Sequence, residues 1–316
     1  MNYIGSKKYL LNFIETVINN EVNSLGNKVF CDLFAGTGTV GAHFKNKVQK
    51  VIANDIEPYA YTLIYNAIKN STKFDLQIVD YEPKKGFIYK QYAKERNYFS
   101  ESNAQIIDGI REWIEKTNLN ENQYHFYLAS LLYSADRVAN TTGVYGSFLK
   151  KLKFMAKTKL KFLPHEFELG NNKHEVYNED ANELIKKIDG DILYLDPPYN
   201  HRQYGLNYHI LNTIVNNKEF EPRGKSGFDD YIRSNYCKKT KVEQSLDELI
   251  KNAKFKYIFL SYSNDGILDK MSIKKIMTKY GSYKVEEFNH ARYRTSKKSK
   301  KGRVVEYLHV MKKYDM

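Results

Sequence analysis

The sequence Asp191-Ile-Leu-Tyr-Leu-Asp196-Pro197-Pro198-Tyr199 joins a short apolar run to an acid, two prolines and a tyrosine. The apolar run is typical of a buried strand in a parallel sheet. The prolines fix φ and have no N–H to donate, so the loop after the strand is stiff and its carbonyl oxygens remain free to accept. Ligands bind at the carboxyl ends of strands in open α/β sheets. The stretch therefore indicates a site for a planar group bearing an NH2, such as adenine, or else a plain strand end with a proline-rich turn.

The composition narrows the class of partner. The 316 residues carry 50 Lys and Arg against 37 Asp and Glu, a net charge of +13 that suits a polyanion. The 27 tyrosines supply rings on which bases can stack. The chain has no signal-like N-terminus and no apolar run of about 18 residues, so we expect a cytoplasmic protein with no membrane partner. Cys31 and Cys237 are far apart in sequence, so we expect neither a disulfide framework nor a metal site.

A glycine-rich turn follows a second apolar strand. Residues 29–33 predict the strand, and Gly36, Gly38 and Gly41 follow it with G-x-G-x-x-G spacing at the start of a helix. The next predicted strand covers residues 50–54 and ends at Asp55, whose two carboxylate oxygens can accept from both hydroxyls of a ribose. This combination predicts a nucleoside cofactor, although an NAD-dependent dehydrogenase would show it equally well.

Two further residues suit the adenine end of such a cofactor. Ile56 follows Asp55 directly and can lie against an adenine face. Asp180 follows a short strand at residues 175–177, and its carboxylate can accept from an adenine amino group.

The N-terminal segment combines a helix start with a basic residue. Ser6 precedes the apolar-periodic helix of residues 10–18, and we expect it to cap that helix. Lys7 beside a helix N-terminus predicts a site for an anion or a carboxylate.

The alternation of strand and helix stops between residues 71 and 172. Helical patterns cover residues 103–116 and 122–139, and a loop or hairpin around Tyr145 follows them. The basic edge beyond this loop consists of Lys150, Lys151, Lys153, Lys157, Lys159 and Lys161. Such an edge is commonly a solvated face, but inside a cofactor-binding domain it can contact nucleic acid.

The C-terminal part predicts two strands, residues 283–290 and 304–311, joined by a connector with seven basic residues in twelve. The connector is a solvated hairpin tip unless nucleic acid lies nearby. Residues 223–227 resemble a phosphate-binding loop, but position 219 holds Glu where the Walker pattern needs Gly, which excludes an NTPase.

Four motifs in one order resemble the amino-methyltransferases that modify adenine in DNA, the group of the Dam methylases and many restriction–modification methylases. They are Tyr3-x-Gly5-x-Lys7, Asp32-x-Phe34-x-Gly36-x-Gly38, Asn54-Asp55 and Asp196-Pro-Pro-Tyr199. Within this group, residues 200–214 look most like methylases of type IIS restriction systems.

The resemblance implies a Rossmann-like α/β fold with a seven-stranded, mostly parallel sheet whose last strand is antiparallel. It implies a catalytic domain at residues 1–70 and 173–316, with a mainly helical target-recognition insert at residues 71–172. The implied cofactor is S-adenosylmethionine, held by Tyr3, Lys7, Asp32, Phe34, Gly36, Gly38, Asp55, Ile56, Asp180 and Asp196. The implied catalytic loop is Asp196, Pro197, Pro198 and Tyr199. DNA contacts are expected from Arg137, Asn140, Gly143, Tyr145, Lys150, Lys297 and Lys298.

The expected function is therefore adenine-N6 methylation of double-stranded DNA by a monomeric enzyme, without a metal, as the modification arm of a restriction–modification system with a cognate endonuclease. Cytosine-N4 methylation is the alternative within the class, since the pocket chemistry suits any exocyclic amine. A dehydrogenase is the alternative from another class.

Overall fold

A seven-stranded sheet forms the centre of the part of the chain that carries the motifs. The computed structural model describes residues 3–75, 80–171, 173–291 and 303–314. The strands are β1 Val29–Asp32, β2 Lys50–Asn54, β3 Glu175–Tyr177, β4 Asp189–Leu195, β5 Lys254–Ser263, β6 Gly281–Ala291 and β7 Arg303–Lys313. Their order is β3-β2-β1-β4-β5-β7-β6. Strands β1 to β5 are parallel, and β7 runs antiparallel to both β5 and β6. The predicted seven-stranded, mostly parallel sheet is confirmed.

The central strands are apolar because both faces of the sheet are covered. All but the first residue of β1 are buried, and so are the last four residues of β4 and the last six of β5. The strand order reverses between β1 and β4, which both run in the same direction. A crevice opens at the carboxyl end of the sheet at such a switch point. The loops after β1 and β4 carry the glycine turn and the Asp-Pro-Pro-Tyr stretch, so the two motifs meet there.

The helices, in chain order, are α1 Leu11–Glu21, α2 Thr39–Phe44, α3 Pro58–Ile64, α4 Phe87–Tyr89, α5 Glu101–Lys116, α6 Glu121–Val138, α7 Phe154–Lys157, α8 Ala181–Leu184, α9 Tyr204–Asn207, α10 His209–Asn216, α11 Val242–Asn252 and α12 Lys270–Met277. Short 3-10 turns cover Lys8–Leu10 and Asn235–Cys237, and π-helical turns cover Tyr65–Lys69 and Lys90–Lys94. Among the described residues, no helix is both long enough and apolar enough to cross a membrane.

The predicted cap at Ser6 is wrong. The chain first makes the 3-10 turn Lys8–Leu10, and α1 begins after Leu10 without a side-chain cap. In the 3-10 turn, the Leu10 N–H donates to the Lys7 carbonyl at 2.8 Å. One of the N–H groups at the start of the helix therefore has a hydrogen-bond partner without a side-chain cap.

The chain divides into two compact units. The sheet unit comprises Ser6–Ile56, Gly170–Gln203 and Arg233–Met316, and the helical unit comprises Met1–Gly5, Glu57–Leu169 and Tyr204–Ile232. The helical unit is therefore larger than residues 71–172, because α3 and α10 pack with α6. Sequence pattern alone assigned α3 and α10 to the alternating β/α part.

Local capping defines the two long helices of the helical unit. The Ser100 hydroxyl accepts from the Asn103 N–H at the start of α5. Asn120 and Gln123 form a reciprocal capping box at the start of α6. The buried faces of these helices join one apolar core rich in tyrosine and phenylalanine.

Candidate active site

The Asp196 carboxylate and the Lys7 ammonium form an ion pair at the end of β4. The Lys7 Nζ lies 3.0 Å from the Asp196 Oδ1 and 3.9 Å from the Glu306 Oε2 on β7. The Lys7 side chain is only 3% exposed and that of Asp196 16%. Charges held this far from water interact more strongly than a surface pair. The sequence placed Asp196 and Lys7 in separate motifs, and the structure brings them into contact.

The pKa values of this pair follow from burial and from the charges around it. Burial by itself lowers the pKa of Lys7, but its interactions with Asp196, Tyr199 and Glu306 together outweigh burial and raise the pKa well above the usual value. Burial raises the pKa of Asp196 to about 6, although Lys7 opposes the shift and Glu306 adds to it. Lys7 is therefore a permanent cation, and Asp196 is a hydrogen-bond acceptor above about pH 6.

The Tyr199 ring lies beside this ion pair. The Lys7 Nζ is 5.2 Å from the centroid of the ring, within the range of a cation–π contact. The ring also packs against Tyr262, with centroids 5.5 Å apart, and the Tyr199 carbonyl accepts from the Ile267 N–H at 2.8 Å. Lys7 lowers the pKa of Tyr199, but burial, Glu306 and Asp196 outweigh it and the pKa rises to about 12. The phenol is therefore neutral at physiological pH.

The loop between Asp196 and Tyr199 is packed into the protein. Pro197 is buried, and Pro198 is half-buried. The packing and the fixed φ of both prolines make the loop rigid.

The glycine turn after β1 requires left-handed backbone at two positions. Gly36 has φ 55° and Gly38 has φ 77°. A side chain at either position would strain the backbone by about 1–2 kcal/mol. The Gly36 N–H donates to the Asp55 Oδ2 at 2.8 Å, which connects the ends of β1 and β2. The predicted cofactor residues Gly36, Gly38 and Asp55 therefore lie together.

Asp32 holds the helix that follows the turn. Its Oδ2 accepts from the Gly41 N–H at 2.8 Å, and the residue is buried. Burial raises the pKa of Asp32 to about 7, although the Gly41 amide opposes the shift and Asp196 and Asp55 add to it. This predicted cofactor residue therefore anchors the first turn of α2. Phe34, half-buried, packs edge-on against Tyr236 with centroids 5.1 Å apart.

Asn54 joins three loops of the sheet edge. Its Nδ2 donates to the carbonyls of Leu33, at 3.2 Å, and Glu179, at 3.1 Å. Its Oδ1 accepts from the Glu179 N–H at 3.0 Å. Asn54 stands in the Asn54-Asp55 motif, but nothing in the sequence pattern shows that a strand-end amide reaches both neighbouring loops.

The two residues predicted to meet adenine are placed differently. Ile56 is half-buried directly after Asp55. The exposed Asp180 caps α8, because its Oδ1 accepts from the N–H groups of Asn182, at 2.9 Å, and Glu183, at 3.2 Å. Its carboxylate therefore already has a local role.

The remaining predicted contacts lie in the helical unit or outside the described residues. The Tyr3 hydroxyl lies 3.1 Å from that of Tyr59, and the Tyr3 ring stacks on Tyr208 at 4.9 Å. Arg137 and Lys150 are exposed, and Gly143 is half-buried with φ 124°. Lys297 and Lys298 lie outside the described residues.

Asn140 supports the loop that was expected to contact DNA. Its Nδ2 donates to the carbonyls of Asn97, at 2.8 Å, and Leu149, at 2.9 Å, and its Oδ1 accepts from the Lys153 N–H at 2.9 Å. The side chain is fully buried. In this conformation it cannot touch DNA, because its polar atoms close the base of the loop.

Tyr145 is equally inaccessible. Its ring is fully buried and its hydroxyl donates to the Asp136 Oδ1 at 3.0 Å. Its carbonyl accepts from the Tyr98 hydroxyl at 2.7 Å and lies 2.9 Å from the His209 Nε2. The glycines around Tyr145 predicted a loop or hairpin, and the family resemblance implied that Tyr145 contacts DNA, but the aromatic side chain is buried in the core in this conformation.

The sheet edge fits S-adenosylmethionine. The two left-handed glycines bring backbone close to a ligand, and the Asp55 carboxylate at the end of β2 suits a ribose diol. The Asp196 carboxylate stands at the neighbouring switch point, where an amine to be methylated can be held.

Comparison with known proteins gives the same assignment. Residues 3–280 match the family described as D12 class N6 adenine-specific DNA methyltransferase. The chain is 46% identical to the type II methyltransferase M.NlaIII of Neisseria lactamica, over 99% of both chains. It is 38% identical to M.CviAII of Paramecium bursaria Chlorella virus 1, over 98% of this chain and 97% of that one. It is also 36% identical to M.FokI of Planomicrobium okeanokoites, over 99% of this chain but 53% of that one.

The family match covers most of the chain, including all four motifs, and its class is adenine-specific. Neither cytosine-N4 methylation nor a dehydrogenase is favoured. The chain belongs to the D12 class of N6 adenine-specific DNA methyltransferases, and its methyl donor is S-adenosylmethionine.

Proposed function

We propose that this protein methylates adenine at one specific sequence in double-stranded DNA, as the modification enzyme of a restriction–modification system. Relatives named type II methyltransferases, similar over nearly the whole chain, support this role. We expect a cognate endonuclease to cut the same unmethylated sequence as a separate protein, and this enzyme to act as a monomer. The observation that carries the chemistry is the ion pair of Asp196 with the buried Lys7 at the switch point of the sheet.

The first step is the extrusion of the target adenine. Chemistry on a stacked base requires taking it out of the duplex, at a cost of a few kcal/mol. The neutral Tyr199 ring offers a stacking face, and a base–aromatic stack is worth about 1–3 kcal/mol. Lys7 and Tyr262 contact the Tyr199 ring before the base arrives, and the Ile267 N–H holds its backbone carbonyl, so little side-chain entropy is lost on stacking.

Asp196 then prepares the nucleophile. The adenine N6 is weakly nucleophilic because its lone pair is delocalised into the ring. The Asp196 carboxylate and the Pro197 carbonyl accept the two N6 hydrogens, which favours a pyramidal nitrogen with an available lone pair. Lys7 keeps the Asp196 carboxylate ionised and in place. This is positioning and electrostatic stabilisation, without a covalent enzyme intermediate.

S-adenosylmethionine supplies the methyl group: the new N–C bond forms as the S–CH3 bond breaks, the electron pair stays on sulfur, and the positive charge passes to N6. Asp55 would hold the ribose of the cofactor, and Gly36 and Gly38 would lie against it. The nitrogen afterwards gives up one proton. The Asp196 carboxylate, which accepts one of the N6 hydrogens, would take this proton, and a pKa of about 6 allows the carboxyl to pass it to solvent near neutral pH.

We assign target recognition to the helical unit. The loop closed by Asn140 presents exposed residues beyond its base, among them Lys150. Shortly after the loop, Phe154 at the start of α7 is 79% exposed, which is unusual for a phenylalanine. Exposed aromatic side chains stack on bases or enter base steps, and lysines bind phosphates. Arg137 and Lys150 would therefore bind the backbone, and Phe154 would contact the bases.

The test is methylation of a plasmid followed by single-molecule sequencing. We expect N6-methyladenine in one sequence context with the wild-type protein. Asp196→Ala is expected to bind the same DNA with a methylation rate reduced at least a hundredfold. The matched control is Asp189→Asn at the exposed start of the same strand, which should behave as wild type. Methylated cytosine, or full activity of Asp196→Ala, would refute the proposed function.

A further inference from the structure

The turn that follows β5 packs against the catalytic loop. The Ile267 N–H donates to the Tyr199 carbonyl at 2.8 Å, and the Tyr262 ring contacts the Tyr199 ring with centroids 5.5 Å apart. Strands β4 and β5 are parallel neighbours, so their carboxyl ends lie at the same edge of the sheet. Asn264, which directly follows β5, therefore stands close to the ring that we expect to stack on the adenine.

The order of the strands places this turn on the side of Asp196 that faces away from the cofactor motifs. The glycine turn follows β1 and Asp55 follows β2, and both strands lie on one side of β4, whereas β5 lies on the other. In an in-line transfer, the methyl group passes from a donor sulfur on one side to an accepting nitrogen on the other. The extruded base is therefore expected above β4 and β5.

Backbone groups of β7 fix the side chain of Asn264. Its N–H donates to the Val305 carbonyl at 3.0 Å, and its Oδ1 accepts from the Val305 N–H at 3.2 Å. The side-chain oxygen thus acts like a backbone carbonyl and extends the ladder of β5 and β7 by one step beyond Ser263. The Gly266 N–H closes the turn by donating to the Ser263 carbonyl at 2.9 Å. The amide is therefore held in one orientation.

The amide nitrogen of Asn264 is not used by this ladder. Among the described residues, the Nδ2 has no hydrogen-bond partner, and the residue is exposed. The nitrogen and the oxygen cannot exchange places, because the Val305 N–H requires an acceptor. Aspartate would supply that acceptor equally well. The NH2 group is therefore an oriented donor beside the Tyr199 ring, and the ladder does not account for it.

We propose that Asn264 is a base-recognition residue, whose Nδ2 donates to the N1 atom of the extruded adenine. This inference rests on the adenine methylation proposed above. Enzymes that extrude a base read its Watson–Crick edge through hydrogen bonds. On that edge of adenine, the N6 amine that Asp196 holds adjoins N1, which is an acceptor. Guanine and thymine carry an N–H at the corresponding position and would face the Asn264 donor with a second donor.

The first experiment places 1-deazaadenine, in which a C–H replaces N1, at the target position of a DNA duplex. With adenine, we expect Asn264→Ala to lower the single-turnover methylation rate about tenfold, through loss of one hydrogen bond to the base. With 1-deazaadenine, the wild-type protein already lacks this bond, so wild type and variant should agree within about twofold. With 7-deazaadenine, which keeps N1, the difference should again be about tenfold.

Asn264→Asp separates the contact with the base from the ladder. Aspartate keeps an oxygen for the Val305 N–H but has no NH2 to donate. We expect this variant to unfold at the same urea concentration as the wild-type protein, with a methylation rate on adenine lower by at least about tenfold. The matched control is Asn252→Asp, at an exposed position near the amino end of β5, which should keep the wild-type rate.

A wild-type rate of Asn264→Asp on adenine would overturn the inference, and this result does not depend on the base analogues. Equal losses of Asn264→Ala on adenine and 1-deazaadenine would also overturn it, because they would indicate a role in the ladder alone. So would a difference that vanishes with 7-deazaadenine, since the donor would then face N7. A failure of the proposed function is distinct: the wild-type protein would not methylate adenine, or Asp196→Ala would remain active.

Discussion

The Lys7 Nζ lies 3.0 Å from the Asp196 Oδ1, so a residue from the N-terminal segment controls the charge of the carboxylate at the end of β4. The first and the last of the four sequence motifs, Tyr3-x-Gly5-x-Lys7 and Asp196-Pro-Pro-Tyr199, therefore act together. The ion pair has a mechanistic use because Asp196 must be ionised to accept hydrogen bonds from an amine.

The first prediction concerns Lys7→Met, which removes the cation and keeps most of the side-chain volume. The buried Asp196 carboxylate then lacks the cation beside it, and we expect a loss of about 3 kcal/mol in the free energy of unfolding at pH 7.5. Lys7 lowers the pKa of Asp196, so the acid limb of kcat/KM should move to higher pH.

The stability loss should shrink as the pH falls, and urea denaturation at pH 7.5 and pH 5 measures this. In the variant, burial makes the Asp196 carboxyl bind its proton more tightly in the folded state than in the unfolded one, so protonation relieves the loss. The control is Lys8→Met, at an exposed position of the same segment. Equal losses at both pH values would contradict an electrostatic origin.

Asp55→Asn tests the assignment of the ribose site. Asparagine can still accept from the Gly36 N–H, so the turn should persist, but one charged acceptor is lost. We expect the affinity for S-adenosylhomocysteine, measured by calorimetry, to fall about tenfold or more, with little change in stability.

Asp180→Asn is the informative comparison, because asparagine caps a helix as well as aspartate does. If Asp180 acts only as the cap of α8, the Asp180→Asn variant should bind S-adenosylhomocysteine with the affinity of the wild-type protein. A loss equal to that of Asp55→Asn would instead place Asp180 at the adenine, as the sequence suggested.

Asn140→Ala should act on stability rather than on base contacts. The substitution removes three partly buried hydrogen bonds that close the loop, two to carbonyls and one from an N–H. We expect a loss of about 2–3 kcal/mol in urea unfolding. Thr142→Ala, at an exposed position of the same loop, should cost less than about 0.5 kcal/mol. Full stability combined with an altered target sequence would show that Asn140 reads DNA directly.

Phe154→Ala should weaken DNA binding without loss of stability, because the ring is exposed in the free protein. Loss of a base–aromatic contact of about 1–3 kcal/mol predicts an affinity about tenfold lower. Leu169→Ala, which removes another exposed apolar side chain of the helical unit, is the control.

The salt dependence of binding separates Phe154 from Lys150. Loss of a ring leaves the slope of log K against log salt unchanged, whereas Lys150→Ala should reduce its magnitude by about 0.9 if Lys150 binds one phosphate. Fluorescence anisotropy over a salt series measures both slopes. An unchanged slope in Lys150→Ala would remove that residue from the interface.

Much of the fold could be predicted because its signals are local. The strand at residues 50–54 and the one at 175–177 were predicted with their observed bounds, since buried apolar runs between turns are unambiguous. The left-handed positions at Gly36 and Gly38 follow from residue type, because few other residues adopt that backbone.

Side-chain environment was less predictable than position along the chain. Asn140 and Tyr145 stand in a glycine-containing loop, and a pattern does not say which side of a loop meets the core. Phe154, by contrast, has an apolar side chain that a sequence-based analysis would bury. The sequence pattern also missed that α3 and α10 pack with α6, since such packing joins segments distant in the chain.

The sequence by itself determined the class of fold, the cofactor turn and the identity of Asp196 as the central residue, because each depends on residues close together in the chain. Only the tertiary structure decided which charges surround Asp196. Lys7 and Glu306 reach it from the N-terminal segment and from an antiparallel strand. Burial and strand direction, neither of which is encoded locally, determine the electrostatics of the active site.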